Sequence, residues 1–256
     1  MFDSFAFTDP WAITAALVAV AIMGLAKGGL GGVGILAVPV MALTIPPMQA
    51  AAIALPLLLV SDCISLWTWW GTWDRRTLRL MLPGAMVGIG VGWLTAAVVS
   101  DEAVRLIVGG IAVAFVLRWW TQSAAKRATR ETQHAGRAGF WGALAGYTSF
   151  VAHAGGPPYQ VYAMPLGHDA RIYTGTSVVF FAIVNAVKLV PYIALGQFDT
   201  ANLTTSALLA PVAVVATLVG AAIIRRMSTD AFYRITYGIA FVVGLKLIWD
   251  GVWGMW

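Results

Sequence analysis

The amino-acid sequence predicts an all-α polytopic membrane protein, built from two inverted repeats of about five helical segments each, with broken or re-entrant helices. Three observations lead to this fold class. The 256 residues are 60% hydrophobic and 11% charged, ten apolar segments follow one another, and glycine and acidic positions recur between the two halves. Soluble chains carry about 25% charged residues, so most of this surface cannot face water.

The ten apolar segments are separated by short connections. They run at about 11–29, 33–45, 48–70, 80–99, 103–121, 139–152, 157–167, 172–195, 203–224 and 231–253. A spanning helix needs about 20 apolar residues. The second and seventh segments are therefore too short to span comfortably, and the sequence is compatible with their crossing the membrane or folding back.

The chain divides into a first transmembrane repeat, residues 1–121, a basic cytoplasmic linker, residues 122–138, and a second, inverted repeat, residues 139–256. Positions that recur 128 residues later are Gly92, Glu102 and Gly110, which return as Gly220, Asp230 and Gly238. Positions that recur 124 or 125 residues later are Gly31, Gly32, Gly71 and Asp74, which return as Gly155, Gly156, Gly196 and Asp199. A near-constant spacing over a whole half indicates an internal duplication.

The basic residues indicate how the repeats are oriented. They gather in three connections: Arg75, Arg76 and Arg79; Lys126, Arg127, Arg130 and Arg137; and Arg225, Arg226 and Arg234. The positive-inside rule places all three in the cytoplasm. Equivalent connections of the two halves then lie on opposite sides, so the halves are inverted and both termini lie outside. We expect a multi-pass protein of a bacterial-type inner membrane.

Two glycine-rich breaks mark where a ligand could bind. The first reads GLAKGGLGGVGILAVP and the second GYTSFVAHAGGPPYQVYAMP. Glycine and proline interrupt helices, and the freed backbone groups need partners within the protein or a wet cavity. A half-helix that starts after a break points its N–H groups and positive dipole end at an anion. The alternative is that these glycines serve close helix packing.

The candidate substrate-binding residues are the glycines of both breaks and the polar side chains near them. They are Lys27, Gly28, Gly29, Gly31, Gly32, Ser149, His153, Gly155, Gly156, Gln160, Asn185 and Lys188. Ionisable residues inside spans are costly, so each is a site hypothesis. Asp62 and His153 are candidate proton carriers.

Charge on the ligand must be met by positive groups or donors. We expect at least one of Lys27, His153 and Lys188 to contact the anion or to bias it electrostatically, with His153 first because it adjoins the second break. Structural roles are the alternatives: a Lys27 that snorkels to the interface, a packed His153, and an ion pair between Asp62 and Lys188. The lone Cys63 lies in an apolar run and is expected to be a packing residue.

At the two breaks the sequence resembles the sulfite exporter TauE/SafE family. The stretches GLAKGGLGGVGILAVP and TSFVAHAGGPP carry the resemblance, and the length, two halves and basic linker extend it over nearly the whole chain. It implies movement of sulfite, sulfonates and related sulfur-containing anions. The motif positions it implies are Gly28, Gly29, Gly31, Gly32, Pro39, Gly155, Gly156 and Pro157.

The resulting hypothesis is a secondary transporter that exports a small sulfur-containing oxyanion and has the anion and the lipid bilayer as its partners. A membrane that is negative inside favours anion exit by about 2.3 kcal/mol per charge per 100 mV. We expect no cofactor, no metal, no nucleic acid and no enzyme activity. The alternatives are a proton- or sodium-coupled uptake permease for another solute, an intramembrane enzyme with His153 as base, and a membrane scaffold. The sequence leaves open the anion, the direction, the coupling ion and the oligomeric state.

Overall fold

The computed structural model describes residues 9–31, 33–45, 47–95, 99–122, 130–194 and 200–254. Every regular element within them is helical. In chain order they are α1 (Pro10–Gly28), a 3₁₀ turn (Val33–Leu36), α2 (Ala37–Met41), α3 (Pro47–Thr68), α4 (Arg75–Thr95), α5 (Asp101–Thr121), α6 (Ala135–Ala152), α7 (Gly156–Ala163), a second 3₁₀ turn (Met164–Leu166), α8 (Ala170–Ala194), α9 (Thr200–Arg226) and α10 (Thr229–Trp253).

The prediction of an all-helical polytopic membrane protein is confirmed. Within the described ranges, six helices are long and apolar enough to cross a membrane: Pro10–Gly28, Arg75–Thr95, Glu102–Thr121, Ala170–Ala194, Thr200–Arg226 and Thr229–Trp253. Each of the ten predicted segments is helical over most of its described residues. The largest shift is at α4, predicted at 80–99, because its first turn carries arginines that an apolar pattern does not include.

Polar residues fix several helix starts. The side chains of Asp9, Ser100 and Ser228 each accept a hydrogen bond from the N–H group three residues on, at the first turns of α1, α5 and α10. Such caps satisfy backbone donors that have no partner inside the helix. The caps therefore set where these apolar helices begin.

The arginine-bearing connections α3–α4, α5–α6 and α9–α10 lie together, and we call this side of the bundle the basic end. The Gln133 amide, before α6, donates to the Asp74 carboxylate before α4 at 2.6 Å. The Tyr233 hydroxyl, at the start of α10, donates to the His168 carbonyl before α8 at 2.8 Å. His168 Nε2 also lies 3.6 Å from the Asp74 carboxylate, so the four connections meet at one end.

Asp74 is the centre of this end. Its carboxylate accepts from the Thr77 N–H group at 3.0 Å, from the Thr77 hydroxyl at 2.6 Å and from Gln133. Burial raises the pKa of Asp74, but these hydrogen bonds outweigh it, so the pKa lies below the ordinary 3.8. The ionised form therefore contributes stability at neutral pH, and this contribution is lost as the pH falls through the folded-state pKa. Nearby, burial lowers the pKa of His168.

The short second and seventh segments return across the bundle from the breaks. Helices α1 and α3 run in the same direction, because the Ser65 hydroxyl donates to the Lys27 carbonyl and the Trp69 indole to the Gly28 carbonyl near both C-terminal ends. The chain must come back between them, through the first 3₁₀ turn and the five residues of α2. Likewise the eight residues of α7 lead from the end of α6 back to His168 at the basic end.

Glycine contacts hold two pairs of helices together, α1 with α9 and α4 with α6. A Cβ atom at Gly28 of α1 would lie 2.3 Å from the Thr217 carbonyl oxygen of α9, and one at Gly88 of α4 would lie 1.9 Å from the Ala143 carbonyl oxygen of α6. Backbones approach this closely only where a side chain is missing. The close-packing alternative therefore applies to these glycines.

The expected packing role of Cys63 is wrong. Its side chain is exposed on α3, because the opposite side of that helix carries the buried Ser61, Asp62 and Ser65. An apolar run on a membrane helix includes residues that face lipid, so hydrophobicity alone does not place a residue inside.

We predict that Gly88→Ala destabilises the protein by about 1–3 kcal/mol, the usual cost of overpacking, since the new methyl group would overlap the backbone of α6. Thermal unfolding in detergent measures this. Gly90→Ala, on the same helix, is the matched control, because no described atom lies within 4 Å of its Cβ position. Equal stability of the two variants would contradict the packing described for α4 and α6.

Candidate functional site

A cavity of about 140 Å³ lies between the two breaks and α8. A water molecule takes up about 30 Å³, so the cavity holds a few waters or one small solute. Drug-sized ligands occupy pockets of about 300 Å³ or more. Eight of the predicted site residues line it: Lys27, Gly29, Gly31, Ser149, His153, Gly156, Asn185 and Lys188.

The first break begins where α1 ends at Gly28. Gly29 has φ of +138°, a conformation that residues with side chains rarely adopt. A Cβ atom there would also lie 2.8 Å from Thr174. Gly31 differs, because no described atom lies within 4 Å of its Cβ position. The backbone at Gly31 therefore borders open space.

The second break begins where α6 ends at His153, a non-glycine residue in the left-handed region with φ of 51°. The Ala154 N–H group turns back to the Thr148 carbonyl at 3.0 Å. Helix α7 then starts at Gly156, and Pro157 and Pro158 in its first turn have no N–H. Gly156 is thus the residue of that turn that offers a backbone donor at the cavity wall.

Phe181 of α8 lies between the two breaks. The Lys27 Nζ atom is 6.0 Å from the centre of its ring. On the other side, a Cβ atom at Gly155 would lie 3.1 Å from its Cε1 atom. One aromatic ring therefore separates the two glycine segments, which the sequence places more than a hundred residues apart.

A buried ion pair lies beside the first break. Lys27 Nζ is 2.6 Å from Asp62 Oδ1, and the two side chains are 13% and 4% exposed. The Asn185 amide donates to Asp62 Oδ2 at 2.7 Å. The alternative in which Lys27 snorkels to the interface is therefore wrong, because its ammonium group turns inward to the carboxylate.

Lys188 is a second buried lysine, 1% exposed. Its Nζ atom donates to the Ser149 carbonyl at 2.8 Å, and it lies 3.4 Å from the Ser149 hydroxyl and 3.5 Å from His153 Nδ1. None of these described partners of Lys188 is a carboxylate. The proposed ion pair between Asp62 and Lys188 is wrong, because both oxygens of Asp62 are bound by other groups.

The ring of His153 lies between Lys188 and Tyr192. Its Nδ1 atom is 3.5 Å from Lys188 Nζ and its Nε2 atom is 3.0 Å from the Tyr192 hydroxyl. A lysine ammonium group only donates, so the contact with Lys188 favours a neutral ring whose Nε2 atom carries the proton.

The other predicted site residues lie elsewhere. Gly28 packs against α9, and a Cβ atom at Gly155 would lie 2.7 Å from the Ala145 carbonyl oxygen, so both serve helix packing. Gln160 is buried in α7, away from the cavity. Gly32 lies outside the described residues.

Sequence reasoning missed part of the cavity wall. Thr174, Ser177 and Phe181 of α8 also line it. Together with Asn185 and Lys188 they recur every three or four residues, which places them on one face of a helix. Extending the face that holds Asn185 and Lys188 toward the start of α8 would have found them.

Comparison with known proteins identifies the chain. Neither the curated proteins nor the solved structures gave a match. The model of the family described as "Sulfite exporter TauE/SafE" matches residues 16–247, a range that includes both breaks and the whole cavity. Its members are membrane transporters of sulfite and related sulfur-containing anions, not enzymes. The chain therefore belongs to the sulfite exporter TauE/SafE family and is a multi-pass membrane transport protein.

Proposed function

We propose that the protein is a secondary transporter that exports a small sulfur-containing oxyanion, such as sulfite or an organosulfonate, across the inner membrane. One observation carries the proposal: Lys188 is a buried lysine at the cavity wall, and its described hydrogen-bond partners include no carboxylate. An ionised group away from water is costly unless it is paired. A bound anion supplies the missing opposite charge.

The surroundings of Lys188 suit an anion that comes and goes. Its contacts to the Ser149 hydroxyl and to His153, at 3.4 and 3.5 Å, are longer than good hydrogen bonds of about 2.9 Å, so an oxyanion can replace them. The Thr174 hydroxyl, also at the wall, has no partner among the described residues. The sequence prediction placed His153 first, but the hydrogen bonds favour Lys188.

Helix packing supports the proposed inverted repeats, residues 1–121 and 139–256, joined by the linker 122–138. The glycines Gly92 and Gly220, paired by the repeat spacing, both lie at helix contacts: Gly92 against the Phe150 side chain of α6, and Gly220 against the Leu25 backbone of α1. The contact of α4 with α6 thus mirrors that of α9 with α1, as a two-fold relation between the halves requires. Of the spacing pairs, Gly196 and Asp199 lie outside the described residues.

The direction of transport and the orientation of the protein in the membrane both follow from charge. The first and last described residues, Asp9 and Gly254, lie opposite the basic end, so the positive-inside rule places both termini outside. A membrane that is negative inside drives anions outward without a coupled ion. Asp62 and His153 are candidate proton carriers only for the alternative, coupled uptake.

We predict that Lys188→Met lowers anion affinity by about 10- to 100-fold, the loss expected when a charge-assisted hydrogen bond of about 1.5–3 kcal/mol is removed. Binding of sulfite to the purified protein, and counterflow of labelled sulfite in proteoliposomes, measure it. The variant should remain folded, because it replaces a buried charge by an apolar chain of similar length.

Lys246→Met is the matched control for that experiment. Lys246 pairs with Asp250 on the exposed side of α10, at 2.5 Å, so its removal should leave binding unchanged. Absence of counterflow in the wild type for sulfite, thiosulfate and organosulfonates alike would refute the proposed transport of sulfur anions. Equal affinity of the Lys188→Met variant and the wild type would remove Lys188 from the site.

We predict that Gly31→Val lowers transport at least about tenfold while the protein remains folded, because the new side chain enters open cavity space rather than neighbouring atoms. Counterflow and thermal unfolding separate the two effects. Gly110→Val is the control, since its Cβ position on α5 is also open but lies away from the cavity. Full transport by Gly31→Val would place the solute path elsewhere.

The orientation is tested by labelling single cysteines in intact cells, in a Cys63→Ser background. We expect Asp101→Cys to react with a membrane-impermeant maleimide from outside, and Arg76→Cys to react only after the cells are opened. Arg76 lies in the first turn of α4, and Asp101 follows the other end of that helix, at the start of α5. The two residues therefore lie on opposite sides of the membrane in the proposed orientation. The reverse pattern would invert the proposed orientation and put both termini in the cytoplasm.

A further inference from the structure

We propose that the site selects singly charged anions, and that Asp62 sets this selectivity by acting as a permanent internal counter-charge. This inference rests on the proposed function and names the charge class of its substrate. It would favour hydrogensulfite or a simple organosulfonate over sulfate, thiosulfate or doubly ionised sulfite.

The argument is a charge count. The side chains that line the cavity include two lysines, Lys27 and Lys188, which we count as protonated, and among the described lining residues there is no carboxylate. Asp62 lies directly behind the wall and neutralises Lys27 at 2.6 Å. We count His153 as neutral, because its Nδ1 atom faces the Lys188 ammonium group, which disfavours a proton there. One positive charge, that of Lys188, is left for the solute.

Asp62 is held so that its charge stays in place. Lys27 binds one carboxylate oxygen and the Asn185 amide binds the other. The residue is 3% exposed, so water cannot take over either contact. Asn185 stands three residues before Lys188 on the same face of α8, and the carboxylate is therefore fixed to the helix that carries the substrate-binding cation.

The count has a direct consequence for selectivity. A monoanion beside Lys188 makes the occupied site neutral. A dianion leaves one unpaired negative charge in a region with little water, close to the Asp62 carboxylate, and like charges that are poorly screened repel strongly. Arg105 is a further cation on α5, but it does not line the cavity and cannot pair with the solute there.

Two tetrahedral sulfur anions of similar size test this count. Methanesulfonate carries one charge and sulfate two, and both charges are fixed at neutral pH. We expect the purified wild-type protein to bind methanesulfonate at least about tenfold more tightly than sulfate. Asp62→Asn raises the charge of the site by one, so its preference should shift toward sulfate by at least about tenfold.

The double variant Lys27→Met/Asp62→Asn is the matched control. It removes the ion pair but restores the single positive charge, so we expect the wild-type preference to return. If the Lys27–Asp62 pair mattered only for packing, the double variant would be as altered as Asp62→Asn, or more so. Thermal unfolding in detergent checks that each variant is folded. If Asp62→Asn does not fold, the inference is tested by the preference of the wild type for methanesulfonate over sulfate and by the preference of the double variant.

The possible outcomes distinguish a failure of this inference from a failure of the proposed function on which it rests. Equal or tighter binding of sulfate by the wild type would overturn the charge count and leave anion transport standing. A folded Asp62→Asn variant with unchanged preference would do the same. Binding of neither anion, together with no effect of Lys188→Met on sulfite, would instead refute the proposed anion site itself.

Discussion

A lipid bilayer offers no hydrogen-bond partner to a backbone, so each helix break must be satisfied from within the protein. This constraint accounts for much of the polar interior. The Lys27 and Gly28 carbonyls at the first break accept from Ser65 and Trp69, and the Ser149 carbonyl near the second accepts from Lys188. Of these three donors, Lys188 also lines the cavity. At the second break the partner of a backbone carbonyl and the proposed anion-binding residue are therefore the same side chain.

Gly28 and Gly31, three residues apart at the first break, have different structural roles. Gly28 is small because another helix backbone touches it, whereas Gly31 is small beside open space. Close packing of α1 on α9 fixes the position of the break, and the break then exposes backbone to the cavity. The stability of the bundle and the shape of the solute site are thus linked through neighbouring positions in one glycine-rich stretch.

The sequence allowed the helices, both breaks and part of the cavity wall to be predicted, because apolar length and glycine clusters are local signals. It did not allow the partners of the buried charges to be predicted. Asp62 pairs with Lys27 rather than Lys188, and Phe181 lies between the breaks, because the rotation of α1, α3 and α8 about their axes decides these contacts. Cys63 was misplaced for the same reason: a hydrophobic segment does not reveal which side faces lipid.

The left-handed backbone at His153 carries a consequence for how this position tolerates change. In this conformation a residue with a Cβ atom has a conformational free energy about 1–2 kcal/mol higher than in the right-handed one, whereas glycine does not. The imidazole is kept there nonetheless, tied between Lys188 and Tyr192. Glycine would thus remove the ring and relax the chain, whereas alanine would remove the ring and retain the strain. Comparing these two replacements separates the contribution of the ring from the tension in the turn that carries it.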